Sequence, residues 1–334
     1  MRELKREMVI TDPVYGSFTI TEPVLIELLS EPAVQRVRNV MQGGPTPIVC
    51  GWKDFSRLEH CIGAMLIVRT QGGSLEEQVA ALLHDIPHTA FSHVVDVVFS
   101  KNDTQNYHEE IKEQIIRNSS IPEILKKHDF SLDRVLNDEN FPILERPSPN
   151  LCADRVDYAL RSYAYYYDRY VTSKDLFCHL TTLNDELVFD SIESAVSFGE
   201  IFVKLCHYCY GSIINMASYC VLADAVRHSL DTSVITEADL LLNDRQLWQL
   251  LQSSGDEYVT HRLTLIKPGF KASVVSEDEA YRYKVSTKKR WVRPKAWVEG
   301  IVYDSYAHEP SLVSKYNAYV QWVSQPYYVN IEGL

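Results

Sequence analysis

The sequence predicts a mainly α-helical protein in which a helical core is followed by a smaller α/β C-terminal part. Up to about residue 230, apolar residues recur mostly at intervals of three and four, which is the spacing of amphipathic helices. Beyond that point one helical segment, Glu237 to Gln252, is followed by stretches rich in β-branched and aromatic residues. We therefore expect two regions, residues 1–230 and residues 231–334.

The first region is predicted to begin with a hairpin and to continue with helices. Residues 8–20 alternate in polarity and contain Asp-Pro and Gly, which indicates two short strands joined by a turn. Helical spacing then dominates until the chain enters the C-terminal region. The predicted helices cover residues 23–30, 32–41, 57–70, 74–84, 89–100, 107–118, 150–170 and 193–229, and the predicted β-rich stretches cover residues 257–266, 280–304 and 317–330.

Charge and composition exclude several classes of protein. The 334 residues have a formal net charge of -12, which argues against a general nucleic-acid binder because phosphate neutralisation needs a basic face. No apolar run approaches the roughly 18 residues of a membrane span, and the opening MRELKREMVI has no signal-peptide core. Seven cysteines, an odd number, predict reduced thiols. We expect a cytoplasmic protein without a membrane partner, with the nucleus as the alternative compartment.

A histidine-rich stretch, HDIPHTAFSH, occupies residues 84–93. It follows a segment in which Ser74 and Glu77 match a capping box and apolar residues recur at helical spacing, so a helix should end at His84. The proline that comes two residues after Asp85 should then bend the chain. An imidazole and a carboxylate are thereby placed at the end of a buried helix, where they are suited to fix a metal ion.

Three further segments contain residue types suited to the same chemistry. Arg57 and His60 lie one turn apart in a predicted helix, where an imidazole can bind a metal and a guanidinium can hold a phosphate. The segment 107–109 (Tyr-His-Glu) begins another helix, and a carboxylate beside an imidazole can raise the imidazole pKa for proton donation. The segment 154–158 supplies a further carboxylate. Each segment alone is explained more simply by a surface ion pair or a buried histidine.

Two histidines and two aspartates from these segments would form a metal site. His60, His84, Asp85 and Asp154 offer a mixture of nitrogen and oxygen ligands. That mixture suits Fe, Mn, Zn or Ni better than a hard ion such as Ca. The sequence therefore predicts one divalent transition metal ion, with Mg as a further ion that accompanies the substrate.

Together the segments resemble the HD-domain phosphohydrolases, in order and at similar spacing from about residue 12 to about residue 170. Within that superfamily the likeness is strongest to the deoxynucleoside triphosphate (dNTP) triphosphohydrolases, including the vertebrate SAM-and-HD-domain enzyme. The matching motifs are Arg57-x-x-His60, His84-Asp85-x-x-His88-x-x-Phe91-Ser92-His93-x-x-Asp96, Tyr107-His108-Glu109 and Asp154-Arg155-x-Asp157-Tyr158.

The resemblance implies metal-dependent hydrolysis of a phosphate ester of a nucleotide, most specifically of a dNTP to deoxynucleoside and triphosphate. It implies that a metal-activated water attacks phosphorus in line while arginines offset the developing charge. The implied metal ligands are His60, His84, Asp85 and Asp154, and the implied proton donor is His108, supported by Glu109 and Asp96. The other implied roles are His88 and His93 along the phosphate path, Arg57 and Arg155 on phosphate, Tyr158 near the sugar and Gln42 facing the nucleoside.

One position departs from the triphosphohydrolase pattern. One turn after Tyr158, where those enzymes have an aspartate that binds the sugar 3′-hydroxyl, this chain has Ser162. A serine can still bind that hydroxyl but discriminates less against analogues that lack it. Two alternatives therefore stay open: a phosphomonoesterase that acts on a nucleotide or another small phosphate ester, and a nucleotide-sensing module without catalysis. The resemblance also favours a homodimer or larger homo-oligomer.

Two segments lie outside this pattern. Cys206-His207-Tyr208-Cys209 has the spacing of a zinc or redox pair, but no second pair follows and its apolar neighbours favour buried core. Arg282 to Lys295 holds seven basic residues, with Tyr283 and Trp291 among them. Solvated edge strands are the favoured interpretation, and a nucleic-acid strip is the weaker one. A third interpretation is that the segment lends a cation to phosphate in the same or a neighbouring subunit.

Overall fold

The computed structural model describes residues 7–334, and the first six residues of the opening MRELKREMVI lie outside the described range. The predicted class is confirmed, because the chain is mainly helical with small sheets. Short 3-10 turns occur at Val37–Asn39, Asp138–Asn140 and Glu237–Leu241. The α-helices are α1 (Pro23–Leu29), α2 (Pro32–Arg36), α3 (Thr46–Cys50), α4 (Arg57–Thr70), α5 (Leu75–Leu83), α6 (Val94–Val98), α7 (Tyr107–Arg117), α8 (Ile121–Lys127), α9 (Leu132–Val135), α10 (Ala153–Tyr167), α11 (Tyr170–Cys178), α12 (Ile192–Leu205), α13 (Ile213–Asp231), α14 (Asp244–Ser253), α15 (Glu257–Leu265), α16 (Ser305–His308) and α17 (Pro310–Val323).

Within residues 7–334, nine strands form three sheets with the orders β1-β2, β3-β4-β7-β8 and β5-β9-β6. The strands are β1 (Met8–Asp12), β2 (Gly16–Ile20), β3 (Leu180–Leu183), β4 (Glu186–Phe189), β5 (Ala272–Val275), β6 (Tyr283–Val285), β7 (Lys295–Val298), β8 (Ile301–Asp304) and β9 (Tyr327–Ile331). All neighbouring pairs are antiparallel except β4 and β7, which are parallel. Because that pair joins strands from either side of residue 230, the division into two regions stays a prediction.

The helices that frame the centre of the molecule begin where their capping residues require. Ser56 forms a complete capping box with Glu59 at the start of α4. Ser74 caps α5 by accepting a hydrogen bond from the backbone N–H of Glu77. The predicted return contact of the Glu77 side chain is replaced by a long-range one, because that carboxylate accepts from the backbone N–H of Ile143 at 2.7 Å. Glu77 thereby ties α5 to the loop that precedes α10.

Several predicted boundaries are wrong for identifiable reasons. The predicted strand 257–266 is helix α15, whose start is capped by Asp256. The predicted helix 89–100 shortens to α6, since two residues just before it, Phe91 and Ser92, have positive φ angles of 58° and 53°. Strands β3 and β4 were not predicted, and their hairpin turn uses Asn184 and Asp185, both at positive φ.

The long predicted helix 193–229 is also interrupted. A π turn at Cys206–Tyr210 ends α12, and Ser212 then caps α13 by accepting from the backbone N–H of Asn215. No single helix of the described chain is long and apolar enough to cross a membrane. Only the bent pair Ile192–Tyr210 and Ile213–Asp231, with 44° between its halves, meets that test by length and composition.

Helix α4 lies at the centre of the core and packs against α5 and α10. Its apolar side chains point in all directions and are buried, as expected for a helix that is covered on every side. Leu66, for example, has no exposed surface.

Replacement of Leu66 by alanine should therefore leave a cavity inside the core. We expect the free energy of unfolding to fall by about 2–5 kcal/mol, measured by urea denaturation. Val171→Ala is the matched control, because Val171 is 84% exposed and should change the free energy by about 0.5 kcal/mol or less. Equal effects of the two substitutions would contradict the central position of α4.

Candidate active site

Three helix ends bring the predicted metal ligands together. His60 comes from the first turn of α4, His84 and Asp85 follow α5, and Asp154 lies in the first turn of α10. His60 Nε2 lies 3.0 Å from Asp154 Oδ1, 3.2 Å from His84 Nε2 and 3.5 Å from Asp85 Oδ2. His84 Nε2 lies 3.6 Å from Asp154 Oδ1. Donor atoms of His60, His84 and Asp154 therefore all lie within 4.8 Å of one another, and Asp85 lies beside this group while also pairing with Arg57.

The hydrogen bonds of the two imidazoles select the tautomer that binds metal. His60 Nδ1 faces Asp157 Oδ2 at 2.7 Å, and His84 Nδ1 faces the carbonyl of Ala81 at 2.7 Å. Because each Nδ1–H donates to an acceptor, each Nε2 presents a lone pair to the shared point. Two such lone pairs 3.2 Å apart repel unless a cation lies between them. The residues present therefore fit a metal ion.

The local electrostatics favour positive charge at the same point. Burial disfavours a charged His60, but hydrogen bonds from its ring to Asp154 and Asp157 outweigh burial and raise the pKa of His60 above its ordinary value. Burial likewise opposes a charge on His84, whose pKa is nevertheless raised well above its ordinary value by Asp85 and Asp154. A field that attracts protons to two histidines also attracts a divalent cation.

The ligand His60 is held by a buried ionic network that the sequence analysis did not identify. Asp157, which has no exposed surface, also accepts from Tyr15 Oη at 2.7 Å and from Arg161 Nη2 at 2.9 Å. Arg161 Nη1 in turn pairs with Asp12 Oδ2 at 2.9 Å. The spacing of Asp157 and Arg161, four residues apart on one helix, was the available signal. The network ties the β1–β2 hairpin to the metal centre.

The close approach of α4 to this network leaves no room for a side chain at Gly63. A Cβ there would lie 1.8 Å from Asp157 Oδ1 and 2.2 Å from Arg161 Nη2.

We expect Gly63→Ala to displace Asp157 from His60 and to weaken metal binding about 10- to 100-fold, measured by titration of metal into the protein. Gly72→Ala is the control: its Cβ would meet no atom within 4 Å, but the positive φ of 81° makes it strained. It should lower stability without changing metal affinity, and equal metal affinities in both variants would contradict the role of Asp157.

Arg57 occupies the position predicted for a phosphate contact. It is 3% exposed, its Nη1 lies 2.5 Å from Asp85 Oδ2, and its Nε donates to Ser92 Oγ at 2.9 Å. Its Nη2 is buried and has no hydrogen-bond partner among residues 7–334. A buried charged N–H without an acceptor is costly, so this group is suited to an anionic oxygen of a ligand.

Three histidines form a second cluster beside Arg57. Donor atoms of His88, His93 and His108 all lie within 4.8 Å of one another, and the rings of His88 and His108 stack at 4.0 Å. Burial, and then the charge of Arg57, hold the pKa of His88 well below its ordinary value. The cluster has the donors for a second metal ion, but Arg57 and Arg290 both place positive charge near His93. Neutral imidazoles among arginines are better suited to an anion than to a cation.

The expected support of His108 by two carboxylates needs correction. Glu109 does not raise the pKa of His108: its side chain is 66% exposed, its Oε1 lies 3.8 Å from His108 Nε2, and burial lowers that pKa to about 3. Asp96 is buried and accepts instead from His93 Nδ1 at 2.9 Å and from the backbone N–H of Tyr107 at 3.0 Å. Asp96 therefore orients His93, and His108 is a neutral imidazole.

A cavity of about 450 Å³ opens onto the metal ligands. Its lining also contains aromatic rings, with Trp52 and Tyr166 stacked at 5.1 Å between ring centroids. The side-chain oxygen of Gln42 lies in this lining, buried and without a hydrogen-bond partner among the described residues. The predicted site residues that line the cavity are Gln42, Arg57, Asp85, His88, His93, His108, Glu109, Asp154, Arg155 and Tyr158.

Two side chains that were predicted to contact the substrate form hydrogen bonds with other protein residues. Ser162 is 1% exposed, lies outside the cavity lining and accepts a hydrogen bond from Tyr210 Oη at 2.8 Å, so its contact with substrate has no support in this geometry and stays a prediction. Arg155 lines the cavity, but its guanidinium donates to Glu145 at 2.7 Å and to the carbonyl of Asn150 at 3.3 Å. Its contact with phosphate stays a prediction.

The basic segment 282–295 contributes to the cavity, contrary to the favoured interpretation. Only its two ends are strands, β6 and β7, and the part between them is irregular. Lys288, Lys289 and Arg290 line the cavity. The cysteines of the π turn, Cys206 and Cys209, are buried free thiols, as the core interpretation predicted.

Comparisons with known proteins agree with this geometry. The HD domain family matches residues 57–157. The uncharacterized protein YdhJ of Bacillus subtilis is 39% identical over 87% of this chain and 89% of its own length. The metal-dependent phosphohydrolase cns2 of Cordyceps militaris is 32% identical over 88% of this chain and 86% of its own. The crystal structure of a phosphohydrolase from Bacteroides thetaiotaomicron superimposes with a TM-score of 0.73 at 19% identity, covering 96% of this chain and 98% of that one.

A helical fold with a His/Asp cluster that fits a metal ion, beside a buried arginine with an unpartnered N–H group, is what a metal-dependent phosphohydrolase requires. The extent of the match to cns2 makes the family plain: this chain belongs to the HD-domain metal-dependent phosphohydrolases. The similarity to the triphosphohydrolase branch covers a smaller part of the chain than the motifs suggested. The deoxynucleoside triphosphate triphosphohydrolase SAMHD1 of Gallus gallus is 29% identical over only 37% of this chain and 24% of its own length.

Proposed function

We propose that this protein hydrolyses a phosphate ester of a nucleotide. The most specific candidate reaction is hydrolysis of a dNTP to deoxynucleoside and triphosphate, and the alternative is removal of phosphate from a monoester. The observation that supports the proposal is Arg57 Nη2, a buried charged donor without a partner among the described residues, in a cavity with candidate metal ligands and aromatic rings in its lining.

The candidate metal ligands and Arg57 have separate chemical roles. A divalent ion held by His60, His84, Asp85 and Asp154 would lower the pKa of a water and polarise a phosphoryl oxygen. Arg57 donates Nη2–H to a phosphoryl oxygen and offsets the charge that develops there.

The histidine cluster supplies the remaining polar contacts. His88 is anchored by Asp85, whose Oδ1 lies 3.3 Å from His88 Nε2, and this contact sets the ring beside the phosphate path. His108 stacks on His88, and its Nδ1 has no partner within residues 7–334. A neutral His108 can donate an N–H hydrogen bond to the leaving ester oxygen and stabilise the negative charge that develops there as the bond to phosphorus breaks, with the proton itself supplied by solvent.

The aromatic part of the lining suits a nucleoside. Tyr158 and Tyr210 meet edge to face at 5.9 Å, and together with the stacked pair Trp52 and Tyr166 they give flat apolar surfaces on which a base can stack. The unpartnered Gln42 oxygen can accept from an N–H of a base or an O–H of a sugar. Since Tyr210 covers Ser162, selection of a sugar 3′-hydroxyl would depend on these residues.

Turnover of a nucleotide panel tests the proposal. The protein is loaded with Mn, Fe, Ni or Mg, given deoxynucleoside triphosphates and nucleoside monophosphates, and the products are resolved by chromatography. Release of intact triphosphate supports the first candidate, and release of orthophosphate from monophosphates supports the second. If the metal-loaded protein turns over no nucleotide, the proposed substrate class is wrong.

Arg57→Gln should separate substrate binding from metal binding. The loss of a buried charged donor to phosphate should lower kcat/KM about 100-fold or more, while the bound metal stays close to one ion per chain. Arg38→Gln is the matched control, because Arg38 is exposed and bonds only Gln35 among the described side chains. Unchanged kcat/KM in Arg57→Gln would remove the main support for the phosphate site.

The double variant His84→Ala with Asp85→Ala should lose metal and activity together. Both side chains lie beyond the end of α5, so the far-ultraviolet circular dichroism should stay close to that of the parent protein. Turnover that persists without bound metal in this variant would contradict the assignment of the ligands.

A further inference from the structure

The irregular segment between β6 and β7 crosses the cavity as a strap, here defined as residues 286–293. The strap is fixed on both sides of the cavity. Ser286 Oγ donates to Asp103 Oδ1 at 2.9 Å, and the carbonyl of Trp291 accepts from Ser148 Oγ at 2.6 Å. At its far end the backbone N–H of Arg293 donates to the carbonyl of Pro149 at 2.9 Å. Anchors at both ends position the strap side chains before any ligand binds.

The strap lies between two hollows. Thr287 and Lys289 line both the cavity and a neighbouring groove, whereas Lys288 and Arg290 line the cavity and not the groove. Arg290 also donates to the backbone carbonyl of Lys288 at 3.2 Å, so the two residues lie close together. Lys288 and Arg290 therefore form a pair directed at the cavity.

Neither member of the pair forms a salt bridge within the described chain. Arg290 donates to the backbone carbonyl of Lys288 at 3.2 Å and to Gln105 Oε1, and its guanidinium lies 5.5 Å from the centre of the Tyr210 ring. Lys288 is exposed, and the carboxylate that acts on it most is that of Glu109, whose side chain is itself 66% exposed. Two cations with only one exposed carboxylate nearby favour an anionic ligand.

The charged side chains of the whole cavity also favour an anionic ligand. Five cationic and four anionic side chains line it. Arg57 is paired with Asp85 and Arg155 with Glu145, so the strap supplies the three remaining cations. One phosphoryl group bound beside Arg57 and a divalent ion would leave Arg290 without an anionic partner and Lys288 with only the exposed carboxylate of Glu109. A second phosphoryl group would satisfy them.

We propose that Lys288 and Arg290 bind a second phosphoryl group of the substrate, in addition to the one that is cleaved. The substrate class is then a small ester with at least two phosphoryl groups, either adjacent in a chain or at separate positions. This inference rests on the proposed phosphohydrolase function and narrows its substrate.

Binding of orthophosphate and pyrophosphate to the metal-loaded protein tests the pair. Calorimetry with metal in excess should show that the parent protein binds pyrophosphate about tenfold or more tightly than orthophosphate. In Lys288→Gln and in Arg290→Gln that ratio should fall toward one. Arg282→Gln, from the same basic segment but outside the cavity lining, should keep the parent ratio. Equal thermal unfolding temperatures would show that all variants are folded, as expected because the anchor from Arg290 to Tyr319 uses the backbone N–H.

The outcomes separate this inference from the proposed function. Equal affinities for the two anions in the parent protein, or an unchanged ratio in both strap variants, would overturn the second phosphoryl site and leave hydrolysis of a monoester intact. Failure to bind either anion would overturn both proposals. The affinities for adenosine 5′-diphosphate and adenosine 3′,5′-bisphosphate are then each compared with the affinity for adenosine 5′-monophosphate. If one of the two compounds binds the parent protein more tightly than the monophosphate and loses that difference in the strap variants, the spacing of its two phosphoryl groups matches the site. Equal binding of all three would count against the strap site.

Discussion

The active site depends on one buried carboxylate, that of Asp157. It receives the Nδ1–H of His60, the guanidinium of Arg161 and the hydroxyl of Tyr15, and so joins α4, α10 and the N-terminal hairpin at one point. A carboxylate with no exposed surface is tolerated there because all its neighbours donate to it. The same contacts fix the tautomer of a metal ligand. Stability of the core and readiness to bind metal are thus properties of a single network, and Gly63 is small because that network needs the space.

The cavity lining carries charges of both signs. The carboxylates of Asp85 and Asp154 lie against His60 and His84, where they attract a cation. The guanidinium and ammonium groups of Arg57 and the strap line the same cavity. Arg57 joins the two sets, because one of its N–H groups binds Asp85 and another has no protein partner within residues 7–334. A phosphate ester in this cavity would have both a metal ion and protein cations available to its oxygens.

Local spacing made the helices that carry the candidate metal ligands predictable. His60, His84 and Asp154 each lie within a turn of a helix end. Ser56 marks the end of α4 next to His60, and Ser74 marks the start of α5, whose other end is His84. The substrate side was less predictable, since it depends on contacts between residues far apart in the chain. Tyr210 covers Ser162 across 48 residues, and the strap meets the loop before α7 through Arg290 and Gln105 across 185 residues. The periodicity of apolar residues in the sequence carries no information about such contacts. Burial of His108, which reverses the expected direction of its pKa shift, is equally invisible in the pair His108-Glu109.

The position of the strap has an evolutionary consequence. Every candidate metal ligand lies between residues 60 and 154, whereas Lys288 and Arg290 come from a segment more than a hundred residues later in the chain. The strap is anchored through backbone groups and short polar side chains, so substitutions of Lys288 and Arg290 leave these anchors in place. Mutation can therefore alter which esters are accepted while the hydrolytic centre stays constant. Proteins that share this chain's ligands but differ at positions 288 and 290 should then diverge in substrate before they diverge in reaction.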